Sequence, residues 1–427
     1  MRIKELIKYS CSTILLLTTS LHAGYFPTPL TAPDDSNIFF RMNKDEQFAL
    51  GLTYEDGSAG GGFNSSDQKC SLGSMYDNGE SFLAMLRNPR GTVRTNLAAL
   101  DPQLLNAPDL GGQRGIIDAS GHVSHQQITL AGGYNISWLR FVPGFLDVAF
   151  HVPFVSKKYT DVKLQRRHFE PVDMIDILIE EQTQNLNAFL QQYGELNAEN
   201  WAGSGVGDPT LIMHWNLPQK YNEETIQDIN PYLYFGIQMP LSKQRNVDTL
   251  FSLPLGNDGH WGFPFGGGID FTFDMPVKIG LGIDLLYFIT ESRMMRVKTD
   301  TAQTSLLLLN KAHVQRKPGL TWRVNWFVSG DQIWHGFGMR AGYEFIMHHN
   351  DELKTQDTGF SSEIINTTAM AQSWYVNLLS VMLKYDLSSV FLNAPMAPVI
   401  QGFMKFPISG RHVVNASTVG FQVMLHF

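Results

Sequence analysis

Asp147, His151, His214, Asp270, Asp284, Arg323, Arg340 and Glu344, with Lys384 as a further member, are titratable residues set inside otherwise apolar segments. Each falls on the face of its segment that carries polar and small residues. Facing an enclosed passage, such charges would line it and set which solutes pass. The competing role is a network of paired, hydrated side chains that fills a narrow interior, and for any single residue that is the simpler expectation. Arg340 and Glu344 are four apart on one face and are placed to pair with neighbours on adjacent strands. Covalent chemistry has less support. The chain contains no Gly-x-Ser-x-Gly, no His-Glu-x-x-His and no glycine-rich phosphate loop followed by Lys and Ser/Thr. No catalytic, cofactor-binding or metal-binding residue is assigned. His348 and His349 are adjacent, so on a strand they point opposite ways, and a solvated loop edge explains them better than a metal.

The elements that would position these charges are long alternating segments. Ile128, Leu130, Tyr134, Ile136 and Trp138 share one face of 127–138, while Gln127, Thr129, Ala131, Gly133 and Asn135 share the other. The same alternation places Leu146, Val148, Phe150, Val152 and Phe154 opposite Asp147 and His151. It recurs over 277–289 and 333–347, and less cleanly over 229–239, 261–273 and 320–326. A period of two is the mark of a strand with one apolar face. Length then decides between architectures: soluble strands usually run about five or six residues, whereas a tilted membrane-crossing strand needs about 9–11. These segments run 10–15, and none of the uncharged apolar runs approaches the ~20 residues of a membrane-spanning helix. Gly266-Gly267-Gly268 lies within one such segment, where small residues permit close packing or a bend. The fold class predicted is all-β, a transmembrane antiparallel up-and-down barrel.

Composition agrees. Charged residues make up only 17% and aromatics 12%, and the aromatics gather near segment ends, as in the girdles of membrane barrels. Arg2, Lys4 and Lys8 precede a short apolar run from Thr13 to Leu21, followed by Leu21-His22-Ala23. That layout is a secretory signal peptide over 1–23, with cleavage expected after Ala23. Its removal takes Arg2, Lys4, Lys8 and Glu5 and moves the formal charge from −8 to −10. An acidic chain argues against a nucleic-acid partner. Cys70 would then be the sole cysteine, so an internal disulfide or thiolate zinc site is not expected. The expected location is the bacterial outer membrane.

Loop lengths test this reading, since bacterial barrels carry short periplasmic turns and longer outer loops. With both chain ends periplasmic, 158–204, 242–259, 297–311 and 349–370 come out as outer loops. Turns near 139–144, 274–277 and 329–332 come out periplasmic. The segments 217–227 and 407–411 fit less well. Eleven strands are read between about 124 and 427, and an even number requires one more, at 112–121 or 45–54. Twelve strands are expected, or fourteen if the amino-terminal region adds a pair. Residues 24–110 read as an irregular amino-terminal segment, either a plug or a loose extension, with the barrel over 111–427. Within the loop insertion 158–204, residues 171–195 shift to helical spacing, with Pro171 and an acidic first half suiting a helix start.

The last nine residues place Val419, Phe421, Val423, Leu425 and Phe427 on one face. An amphipathic final strand ending in Phe427 resembles the signal read by the outer-membrane assembly machinery, which, with outer-membrane lipid, is an expected partner. Gly205-Val206-Gly207-Asp208, leading into a strand after a long helical loop, resembles outer-membrane channels of the fatty-acid and aromatic-hydrocarbon transporter group. That resemblance implies an amino-terminal plug and diffusive passage of small hydrophobic molecules, and it transfers no catalytic residue. The expected function is a channel or transporter for small-molecule solutes. The alternatives are a closed barrel whose loops 158–204 and 349–370 meet partners outside the cell, and a membrane-embedded hydrolase.

Overall fold

The computed structural model describes residues 47–107, 114–136, 143–168, 170–220, 225–387 and 397–427. The predicted leader lies outside the described residues. Twelve antiparallel strands close into a barrel. They are β1 (Phe48–Ala59), β2 (Ile116–Asn135), β3 (Phe145–Arg166), β4 (Thr210–Asn216), β5 (Ile226–Gln238) and β6 (Gly262–Phe273). The remainder are β7 (Val277–Phe288), β8 (Thr321–Trp334), β9 (Phe337–His348), β10 (Trp374–Asp386), β11 (Ala397–Arg411) and β12 (Ser417–His426). Each strand pairs with its neighbours in sequence, and β1 closes on β12 with Ala49 opposite His426. At that seam the Phe427 amide donates to the Phe48 carbonyl at 2.9 Å, and the two rings lie 5.8 Å apart.

The alternation read from sequence sets which face is which. Ile128, Leu130, Phe150, Phe154, Ile279, Leu281, Ile283, Val419 and Phe421 are exposed on the outer wall, where lipid would cover them. Their strand neighbours Gln127, Ala131, Asp147, Ala149, His151, Asp284 and Leu286 are buried inside. The aromatics are not confined to the rims. Tyr134, Trp334 and Phe427 sit at one end, but the pairs Trp326–Tyr343 and Tyr54–Phe421 sit part-way along their strands, with centroids 6.2 and 5.6 Å apart.

The expected amino-terminal segment 24–110 is corrected. The missing strand is β1, close to the 45–54 alternative, so the barrel begins at Phe48 and not at 111; of the 112–121 alternative, 116–121 open β2. The alternation of β1 is short: Phe48, Leu50, Leu52 and Tyr54 share one face, but the polar run at 55–58 ends the apolar face before the glycine run at 60–62. The long connection from β1 to β2, of which 60–107 and 114–115 are described, therefore lies on the same end as those from β3 to β4, β5 to β6, β7 to β8 and β9 to β10. Turns at the other end are as short as 274–276 and 335–336, which identifies the long-loop end as the outer one. Strand β3 runs on to Arg166, so the insertion predicted at 158–204 begins later. Its single helix is two, α4 (Met174–Thr183) and α5 (Leu186–Gly194), after short α1–α3 (Phe82–Met85, Gly91–Leu97, Pro102–Leu105). Asp173 caps α4 by accepting from the Ile175 and Asp176 amides.

These loops build a cap with its own apolar core: Phe82, Met85, Leu97, Ile179, Leu190, Leu196, Leu307 and Leu309 are fully buried together. A three-stranded sheet (Glu291–Arg296, Lys311–Lys317, Glu352–Thr355) joins it. Arg296 locks the parts, donating to the carbonyls of Gly194, Val247, Leu308, Leu309 and Glu195 at 2.7–3.1 Å.

Candidate functional site

All eight predicted interior residues lie on the inner wall and all are buried. They form clusters on different parts of that wall. Asp284 accepts from Arg323 at 2.7 Å, from the Tyr234 hydroxyl at 2.6 Å and from Asn325 at 3.0 Å. Arg323 reaches on to Glu344 at 3.4 Å, which Lys405 approaches at the same distance. A charged belt thus crosses from β7 to β11. On β3 and β4, Asp147 meets His214 at 2.7 Å and accepts from Asn216 at 2.9 Å, with His151 two positions further along the same face. Asp270 pairs with Lys278 at 3.1 Å. The Arg340 guanidinium lies 3.6 Å from the centre of the Phe327 ring. Arg340 and Glu344 share a face as expected. Lys384 lies apart, 3.5 Å from Asp331.

A wide aqueous lumen would leave these groups accessible to solvent. Here the inward Asn135, Asn216, Gln401 and Gln422 are buried as well. The middle of the barrel is therefore filled by its own polar side chains, as twelve strands permit. Glycines make room for this filling. A Cβ on Gly268 would meet the Leu281 carbonyl at 2.3 Å and the Tyr232 hydroxyl at 2.5 Å, so the Tyr232 ring lies across β6 towards β7 only because glycine is there.

Above the filled zone lies a chamber of about 610 Å³. Its sides are the upper inner faces of β2, β3, β7, β9 and β10, and its roof is loops 60–115, 239–261, 289–320 and 349–373. Leu72, Met75, Tyr159, Phe251, Leu255 and Trp374 supply apolar wall, and Arg245, Arg293, Arg316, Asp258 and Asp351 supply charge. Arg293 holds Asp258 at 2.5 Å with Arg316 at 3.6 Å, and Arg316 holds Asp351 at 2.7 Å. Burial works against the Asp258 carboxylate, but Arg293, Arg316 and Arg245 outweigh it and hold its pKa well below the usual range. Burial, with Arg316 and Arg293 beside it, lowers His260 to about 4, so that imidazole stays neutral. None of these loop residues carried a sequence signal. Arg293 and Arg316 lie on cap strands too short to read from the sequence, Arg245 and Asp258 lie outside any strand, and the three arginines are dispersed along the chain.

The Gly205–Asp208 motif falls where the strand Trp201–Val206 breaks before β4. Its role is visible: the buried Asp208 carboxylate accepts the Ser242 amide at 2.9 Å and the Asn257 amide at 2.5 Å, docking loop 239–261 onto the barrel wall. At the outer rim the Thr321 hydroxyl, His348 and Asp351 make a hydrogen-bonded chain, 2.7 and then 2.9 Å. Its order suggests a nucleophile, base and acid, but Thr321 is 0% exposed, and Asp351 also holds Arg316 and the Gly319 amide. The chain ties loop 349–373 to the barrel; no acyl group reaches that hydroxyl. His348 faces inward and His349 outward.

The fold is that of a bacterial outer-membrane β-barrel. The chain is similar in structure to an outer membrane channel from Pseudomonas putida F1, at TM-score 0.50 and 9% identity over 90% of this chain and 96% of that one. Fainter likenesses are to the transport unit of the autotransporter AIDA-I from Escherichia coli (TM-score 0.37, 7% identity, 93% and 96% covered) and to the CymD monoaromatic hydrocarbon channel (TM-score 0.32, 10% identity, 95% and 94% covered). At these identities what is shared is the fold. Neither a protein-family model nor a curated protein sequence matches the chain.

Proposed function

We propose that this protein is an outer-membrane channel that admits small, partly hydrophobic molecules through the chamber beneath its cap. The observation that carries the reading is the chamber itself: about 610 Å³ of space with a largely apolar wall, directly over the barrel interior. The likeness of fold to an outer membrane channel supports it. The inner residues Asp284, Arg323 and Glu344 then form the constriction that a solute must pass, and transport requires that belt to part. The test is influx of a small hydrophobic solute into proteoliposomes holding the refolded protein. Influx faster than in protein-free vesicles, and slowed by filling the chamber with Leu255→Trp, is expected. Influx equal to that of empty vesicles overturns the proposal.

A second reading has its own observation. Val172, Met174 and Ile177, at the start of α4, are 79%, 60% and 52% exposed on the outside of the cap. Such a patch on an outer loop suits a surface-interaction role. Substituting all three with Ser leaves solute influx intact on either reading and abolishes surface adhesion only on the second.

A further inference from the structure

We infer that the outer rim of β9, β10 and β11 holds, on its membrane-facing side, a binding site for the phosphate of an outer-leaflet glycolipid, centred on Arg411. The starting point is an irregularity in β11. Lys405 points inward, to Glu344 at 3.4 Å, and strict alternation would carry residues 407, 409 and 411 inward as well. The pairing with β10 slips instead. Pro407 lies opposite Leu378 and Ser409 opposite Asn377, which leaves Ile408 without a partner. One extra residue re-aims every side chain beyond it. Gly410 therefore faces the interior, where an added Cβ would meet the side chains of Val413 and Phe63. Ser409 and Arg411 face out.

Deeper in the wall the outward side chains of β10, β11 and β12 are apolar: Leu383, Ile400, Val419 and Phe421 are all exposed there. Polar groups are costly on such a surface and are tolerated only towards its edge. Asn377 and Ser409 form one outward pair, and Tyr375 and Arg411 form the next, about 7 Å closer to the loops at ~3.3 Å per residue. The Tyr343 hydroxyl donates to Asn377 Oδ1 at 2.5 Å, and Asn377 Nδ2 donates to the Ser409 hydroxyl at 2.7 Å. What is left over is a set of donors. Among the described residues the second Asn377 amide proton, the Ser409 hydroxyl proton and the Arg411 guanidinium have no acceptor, and the Arg411 Nε is buried without one. The Asp67 carboxylate beside the same strand end accepts the Gly410 amide at 2.6 Å and forms no ion pair with Arg411. A tie between three strands needs Tyr343, Asn377 and Ser409 alone; it does not account for a guanidinium set above them on the same face. A phosphate does. It matches the planar fork of Arg411 and takes the hydroxyl and amide donors below it. Tyr375, whose ring lies 6.0 Å from that of Phe345, supplies the aromatic surface that suits the headgroup level. The rim is at the long-loop end of the barrel, so the lipid concerned is the phosphorylated glycolipid of the outer leaflet.

The experiment is native mass spectrometry of the full chain, folded in detergent and titrated with diphosphoryl lipid A and with the same lipid stripped of both phosphates. The phosphorylated form is expected to bind roughly tenfold tighter, about the effect of one charge-assisted pair. Arg411→Gln should bring it down to the level of the stripped lipid, and Arg411→Lys should recover part of the difference. Asn377→Leu, which keeps the wall apolar, should weaken the phosphorylated lipid roughly threefold, as loss of one neutral hydrogen bond would. Equal binding of the two lipids by the unaltered chain, a comparison that needs no variant, overturns the site. A preference that survives Arg411→Gln in protein of unchanged heat-modifiable gel mobility does so too. Displacement of the lipid by inorganic phosphate would make this a site for a free anion and overturn its assignment to the membrane.

Discussion

Arg323 bridges two carboxylates inside a barrel wall, and its removal takes the guanidinium partner from both Asp284 and Glu344. Breaking a buried pair by deleting one partner costs about 3–5 kcal/mol, because the remaining charge is stranded. Arg323→Ala is therefore expected to lower stability by about that amount in urea unfolding from lipid vesicles, and Arg323→Ala with Asp284→Asn by less. Glu80 is a different case. It is fully buried in the cap, where its carboxylate accepts the Leu306 and Leu307 amides at 3.2 Å. Burial, with Asp77 adding repulsion against the help of Thr304 and the two amides, raises its pKa to about 7 from 4.5. A carboxyl raised in the folded state contributes stability that is present below its unfolded pKa and lost as pH rises through the folded one. The cap is thus expected to be tighter at pH 5 than at pH 8. Hydrogen exchange over 80–107 and 298–310, corrected for intrinsic rates, should quicken between those values, and Glu80→Gln should flatten the dependence.

At the scale of elements, loops 60–115, 239–261, 289–320 and 349–373 behave as built structure, each pinned by specific polar contacts. Asp208 joins the break before β4 to loop 239–261 through two buried backbone amides, and leaving both without an acceptor costs roughly 1–3 kcal/mol each. Asp208→Ala should therefore release the loop, with faster exchange at the Ser242 and Asn257 amides and unchanged heat-modifiable gel mobility of the barrel. A barrel that also fails to fold would place Asp208 in the wall and not in the loop's attachment. The motif that resembled a channel family is thus an anchor between wall and lid. Arg296, which collects carbonyls from three loops, serves the same end from within the cap.

For the whole molecule, the filled interior predicts electrical behaviour. Inward polar residues with almost no accessible surface leave no continuous water column, so the folded protein in planar bilayers should conduct far less than an open porin. Asp284→Ala, Arg323→Ala and Glu344→Ala together should raise the mean conductance by removing the belt. Porin-like steady conductance from the unaltered chain would contradict the filled lumen. The amino-terminal deletion 24–110, natural to try on the sequence reading, would remove β1 and with it the closing seam to β12. Trimming the cap has to start from within loop 60–115 instead.

Sequence alone settled the barrel. A side-chain period of two over segments long enough to cross a bilayer leaves little else, and that same period placed Asp147, His214, Asp284, Arg323, Arg340 and Glu344 on the inner wall. Even the twelve-strand count followed from parity, although β1 itself was obscured because its apolar face stops at Tyr54 and polar residues and a glycine run follow. Partners were another matter. Arg340 against Phe327 and Lys405 against Glu344 depend on strand register, which one residue of slip would change. The cap and its chamber were decided by tertiary structure alone. Arg245 and Asp258 follow no period and Arg316 sits on a short cap strand; they meet only because the barrel strands bring distant loops over one mouth.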